Sequence, residues 1–151
     1  AWQGVQGGLR LLNKPMLTEM PATLLSGEST TLAALADGKP MVVNLWASWC
    51  PPCRREMPVL AAAQKQQAWA SFVFANQGEN TATIQRYLFD SQLELANVTL
   101  DRDTRLGVVA GSMALPITLF YDAHGQLVAT HRGTLTAASL AGKLKQLKPS
   151  E

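Results

Sequence analysis

Trp49-Cys50-Pro51-Pro52-Cys53 brings both cysteines of the chain together, two residues apart, directly behind the apolar run Met41-Val42-Val43-Asn44-Leu45-Trp46. Such a run reads as a buried strand, and prolines at the start of the next segment read as the first turn of a helix. The order therefore puts a Cys-x-x-Cys at a helix N-terminus, where unpaired N–H groups and the positive end of the helix dipole favour an anion. A cysteine attacks as the thiolate, so the placement predicts redox chemistry. A structural bridge across so short a loop would constrain the unfolded chain little. A tetrahedral zinc site takes four ligands, whereas only two sulfurs are present and His124 and His131 lie far along the chain.

The 151 residues suit one domain with a real core, and the 47% hydrophobic and 16% charged content excludes a disordered chain. No apolar run approaches the length of a membrane span, so the chain reads as a soluble domain. A net charge of +2 is too small for a nucleic-acid surface, and Lys143, Lys145 and Lys148 read as the solvated face of a last helix. The chain starts at Ala1 without a methionine, which leaves room for a targeting segment or a membrane anchor outside it.

Residues 1–17, with Gly4, Gly7 and Gly8, read as a lead-in or tether, and 18–151 as a single domain. Short strands at 22–25 and 30–32 around Ser26-Gly27-Glu28 predict a β-hairpin, and Asp37-Gly38-Lys39-Pro40 introduces the strand at 41–46. The redox helix is expected over 51–67, kinked at Pro58, which cannot donate to the carbonyl of Arg54. There follow a strand at 71–76, a helix at 81–91 with Ile84, Tyr87 and Leu88 inward, and a strand at 98–100. A brief helix at 104–110, two strands at 117–121 and 126–131 about the turn Asp122-Ala123-His124-Gly125, and an amphipathic helix at 136–147 complete the pattern.

The stretch Val43-Asn44-Leu45-Trp46-Ala47-Ser48-Trp49-Cys50-Pro51-Pro52-Cys53-Arg54-Arg55-Glu56-Met57-Pro58 resembles the active-site segment of the TlpA/ResA/DsbE group of thioredoxin-like thiol:disulfide oxidoreductases. The resemblance covers residues 18–148. It implies an α/β thioredoxin fold, three-layer α/β/α with a mixed central sheet, an N-terminal β-hairpin and a strand-helix insertion at 71–100. It also implies a bacterial periplasmic or membrane-tethered enzyme that reduces disulfides of extracytoplasmic clients, in some cases during cytochrome c maturation. A membrane thiol donor of the DsbD type would re-reduce it, with no cofactor beyond its own dithiol. Relatives of the same fold include disulfide-forming oxidants and isomerases. Outside redox catalysis, the alternative is a Cu(I)-delivery module holding the metal on two soft thiolates. Against it, Met16, Met20, Met41, Met57 and Met113 are scattered and no histidine lies near the pair.

Cys50, at the helix entrance, is expected to be the exposed attacking sulfur, and Cys53, one turn in, the resolving one. With a pKa near that of a free cysteine, about 8.5, only a few per cent of Cys50 would be thiolate at neutral pH, so lowering it is the site's main electrostatic task. By resemblance, Leu115-Pro116 corresponds to the family's cis-proline, whose loop faces the cysteines and presents backbone to a substrate strand, though Ile117 stands where threonine often follows. Trp49, Pro51 and Pro52 join Leu115 as client-binding candidates, and Trp46 as a wall of the site. Asn44 occupies the strand position where thioredoxin carries a buried acid, and an amide cannot exchange a proton. Glu79 matches the acid that some relatives place near the cysteines, and a burial-raised carboxyl there would suit proton exchange with Cys53. Glu56 resembles the group's Cys-x-x-Glu feature and equally suits an acidic residue near a helix N-terminus.

Overall fold

In the computed structural model, Leu17 and residues 20–148 are described; the rest of the lead-in lies outside them. Five strands form the central sheet in the order β5-β4-β3-β6-β7: β3 (Met41–Trp46), β4 (Ser71–Gln77), β5 (Val98–Asp101), β6 (Ile117–Tyr121) and β7 (Leu127–Arg132). The β3–β4 and β4–β5 pairs are parallel, whereas β3–β6 and β6–β7 are antiparallel, so the sheet is mixed as expected. Every residue of β3, β4 and β6 is buried, because helices cover both faces of these inner strands.

One face carries α2 (Pro51–Gln66), α3 (Thr81–Asp90) and α5 (Ala137–Leu147), packed on Val42, Trp46, Phe72, Phe74 and Phe120. The opposite face, with Val43, Leu45, Val73 and Leu119, is covered by α1 (Leu32–Ala36) and α4 (Arg105–Ala110). Leu17, in the segment assigned to the lead-in, is buried in this second cluster. The strict alternation along β3 sends Val42, Asn44 and Trp46 toward α2, which puts one polar side chain in an apolar layer.

The expected hairpin is β1 (Pro21–Thr23) with β2 (Ser29–Thr31); β1 is one residue shorter than expected, and β2 keeps its length but ends one residue earlier because Leu32 opens a helix instead of ending a strand. The Thr31 hydroxyl accepts from the Ala34 amide at 3.0 Å and so caps that helix. The redox helix continues through Pro58 to Gln66, with Cys53, Glu56, Met57 and Leu60 on its buried side. Complete burial of Met57 and Leu60 contributes roughly 1.5–3 kcal/mol each to holding α2 on the sheet. Its far end is tied down by Gln64, which donates to the carbonyls of Phe72 and Ala96 and accepts from the Ala96 amide.

Candidate active site

Strand β3 ends at Trp46, and four residues later Cys50 serves as the N-cap of α2. Its Sγ takes the place of a capping oxygen and accepts from the Cys53 amide at 3.2 Å. Pro51 and Pro52 fill the first two helical positions and have no N–H, and the Arg54 amide is committed to the Cys50 carbonyl at 3.1 Å. One backbone donor therefore serves the sulfur.

The two cysteines form a disulfide with their Cα atoms 5.2 Å apart. Cys53 is wholly buried and Cys50 is 3% exposed, so the attacking sulfur is less open than expected in the oxidised state. The cause is local: as an N-cap, Cys50 folds its side chain back over the helix entrance onto Cys53. Around it, Trp49 is 67% exposed and Pro51 is exposed, while Trp46 is fully buried against Tyr87 with ring centroids 5.4 Å apart. Trp46 thus packs the floor behind the site.

The Leu115–Pro116 peptide is cis, as the resemblance implies. Ile117 pairs with Leu45 across β6 and β3, so the antiparallel register carries Pro116 to the Trp46 end of β3, the end from which the cysteines depart. Ile117, standing where threonine often follows, is buried and lines the second core cluster.

Glu56 is fully buried on the inner side of α2, three residues beyond Cys53. Its Oε1 accepts from Asn44 Nδ2 at 2.6 Å and its Oε2 from the Leu135 amide at 2.8 Å. Burial pushes its pKa up from 4.5 to about 7, against the opposing pull of these two hydrogen bonds. Asn44 also donates to Thr118 Oγ1 at 3.1 Å, its direct cross-strand partner. Strand position 44 thus holds the acid rather than being one.

Glu79 occupies the loop between β4 and α3, where its carboxylate accepts from the Ser48 amide at 2.7 Å, the Ser48 hydroxyl, and Asn76 Nδ2 at 2.8 Å. These bonds fasten the segment just ahead of Trp49 and Cys50. A burial-raised carboxyl lies at Glu56. A signal for it was present in the spacing: Cys53, Glu56, Met57 and Leu60 make an i, i+3, i+4, i+7 stripe, with one carboxylate among apolar side chains. His124 is exposed and His131 is half-buried, its ring nitrogen 3.3 Å from the Thr134 carbonyl. Among the described residues no group of three or more His, Cys, Asp or Glu side chains is arranged to hold a metal ion.

A disulfide at a helix N-terminus, a cis-proline at the adjoining sheet end and a mixed five-stranded sheet define a thioredoxin-like thiol:disulfide oxidoreductase. The chain belongs to the Redoxin family, whose model matches residues 15–144. It is similar to the thiol-disulfide oxidoreductase ResA of Halalkalibacterium halodurans, 31% identical over 128 residues that cover 83% of this chain and 71% of that protein. The thiol:disulfide interchange protein HelX of Rhodobacter capsulatus is 30% identical over 117 residues, 78% of this chain and 65% of its own length. Among solved structures, DsbF of MTB superposes with a TM-score of 0.76 at 25% identity, covering 89% of this chain and 99% of that one. A secreted Mycobacterium tuberculosis disulfide oxidoreductase homologous to E. coli DsbE gives 0.71 at 26% identity, covering 85% and 96%. These relatives place the chain with the TlpA/ResA/DsbE group.

Proposed function

We propose that the protein reduces disulfides of extracytoplasmic bacterial client proteins, with cytochrome c maturation as the setting suggested by similarity to ResA and HelX. The observation that carries the mechanism is the buried Glu56, its pKa raised to about 7, on the same side of α2 as Cys53. In the reduced enzyme, the Cys50 thiolate attacks a sulfur of the client disulfide; one client thiolate leaves, and a mixed disulfide links Cys50 to the client. Cys53 then gives up its proton and attacks Cys50 Sγ, releasing the second client thiol and closing the Cys50–Cys53 bond. With a pKa of about 7, Glu56 is ionised in roughly half the molecules at neutral pH and can take that proton.

Trp49, Pro51, Pro52 and Leu115 form the client-facing rim; Pro116 has no N–H and its carbonyl accepts from the Gly133 amide at 2.9 Å, so its cis peptide shapes the loop that presents the backbone of Leu115 to the client strand. Glu79 positions Ser48, and through it the turn that carries Cys50. A membrane dithiol donor of the DsbD type returns the electrons, two per cycle. Equilibration with glutathione buffers tests the direction: the potential is expected in the reducing half of the interval between about −270 and about −120 mV that separates thioredoxin from DsbA. A value at the oxidising end would reassign the protein as a disulfide-forming enzyme.

A further inference from the structure

A groove of about 370 Å³ begins at Pro51, the residue next to the attacking cysteine, and runs along α2 away from the disulfide. Its α2 wall is Pro51, Arg54, Arg55 and Pro58, an i, i+3, i+4, i+7 stripe. Tyr87 and Ser91 form part of the opposite wall, at the C-terminal end of α3. Both arginines are exposed, and among the described residues neither is paired with a carboxylate; the ion pair there joins Lys65 to Glu94.

We infer that this groove is a specificity subsite that seats an acidic side chain of the client close to the cysteine undergoing exchange. The inference rests on the oxidoreductase mechanism proposed above and adds the kind of sequence that mechanism prefers. Charge complementarity decides the occupant. Two guanidiniums outweigh the roughly half negative charge that the end of the α3 dipole brings to the far wall. The planar fork of arginine also suits a carboxylate in paired hydrogen bonds. The Tyr87 ring, its hydroxyl influenced by the Arg54 charge, supplies a flat apolar side for the methylenes of the entering chain. Length fixes the spacing. The seven residue steps from Pro51 to Pro58 rise about 10 Å along the helix, and an extended chain crosses that distance in about three residues. The preferred acid therefore lies within about three residues of the client cysteine.

Reduction of symmetric peptide disulfides by the reduced full chain tests this, with rates read by mass spectrometry after acid quench. The peptides differ only at the third residue from cysteine, which is Glu, Gln or Lys. The Glu dimer is expected to react about three- to tenfold faster than the Gln dimer at low salt, and the Lys dimer slowest. In an Arg54→Gln/Arg55→Gln variant the Glu-to-Gln ratio should fall to near one. Because the ratio compares two substrates on one enzyme, it is insensitive to any change in Cys50 reactivity. A Lys145→Gln/Lys148→Gln variant, with the same change in net charge at the C-terminal end of α5, should keep the wild-type ratio. A ratio retained without the two arginines, or lost equally in the lysine variant, would overturn the subsite. If no peptide is reduced, the mechanism itself fails. Fluorescence anisotropy of the same labelled peptides, alkylated at cysteine and titrated with oxidised protein, then decides the groove: a Glu preference that needs Arg54 and Arg55 supports it, and equal binding refutes it.

Discussion

Asn44 donates to Glu56 over 2.6 Å, between the centre of β3 and the inner side of α2, with both residues buried. In the mechanism proposed above, an acid on α2 and an amide on the strand beneath it share the task that a single strand carboxylate would otherwise perform. The amide fixes the position of the carboxyl group and leaves its proton exchangeable. Placing the acid on the helix also moves it with Cys53, since both belong to one rigid turn.

Replacing Glu56 with Gln should slow resolution of the mixed disulfide by at least about 100-fold at neutral pH. Formation of that mixed disulfide should change much less. Rapid-quench trapping of the two steps separates them, and equal slowing of both would remove Glu56 from the proton path.

The same carboxyl links stability to pH. Between about pH 4.5 and about 7 the folded protein retains a proton on Glu56 that the unfolded chain releases, so stability falls as pH rises through that window. The full loss is about 3 kcal/mol and is complete above the folded pKa. Urea denaturation of the oxidised protein across the window should show the slope in the wild type, with a flatter dependence in Glu56→Gln.

Glu79→Gln should behave differently. The change weakens the grip on Ser48 and costs about 1–2 kcal/mol of stability, with slower exchange at every pH rather than a displaced pH profile. A shifted cysteine titration in this variant would give Glu79 the proton-exchange role instead.

Pro51→Gly supplies a second amide beside Cys50 Sγ, which now has that of Cys53. One added hydrogen bond to the thiolate is worth up to about 1 kcal/mol, offset in part by a looser turn. The Cys50 pKa should fall and the glutathione equilibrium shift toward a more oxidising protein. No change in either measurement would make the Pro-Pro pair a device of shape alone.

Alkylation of the reduced protein should label Cys50 well before Cys53, because the helix entrance stabilises its thiolate while Cys53 is enclosed. Peptide mapping after a short pulse checks the order, and equal labelling would exchange or merge the two roles.

The parts of the fold legible in the sequence were those with strong local patterns. The apolar run at β3 and the prolines opening α2 located the strand, the helix and the sulfurs to within a residue. Helix α1 escaped because five residues are too few to show a helical period, and its start depends on one Thr31 cap. The roles of the two glutamates were illegible for another reason. A carboxylate in a helix and one in a loop look alike until the sheet brings Asn44 and the Leu135 amide to the first, and Ser48 and Asn76 to the second. Burial of Cys50 followed from its use as an N-cap, which depends on side-chain direction rather than on residue type.

The bridge between Leu24 and Thr99, with the Leu25 amide donating to the Val98 carbonyl at 2.9 Å, lays the hairpin along the outer side of β5. A thiol:disulfide oxidoreductase meets the backbone amides of its client proteins at every encounter, and a bare strand edge is a template for them to add to and for copies of the enzyme to stick together. The hairpin stoppers that edge. Client chains are thereby denied a non-productive berth on the flank, and the opposite border strand, β7, carries His131 and the cationic Arg132.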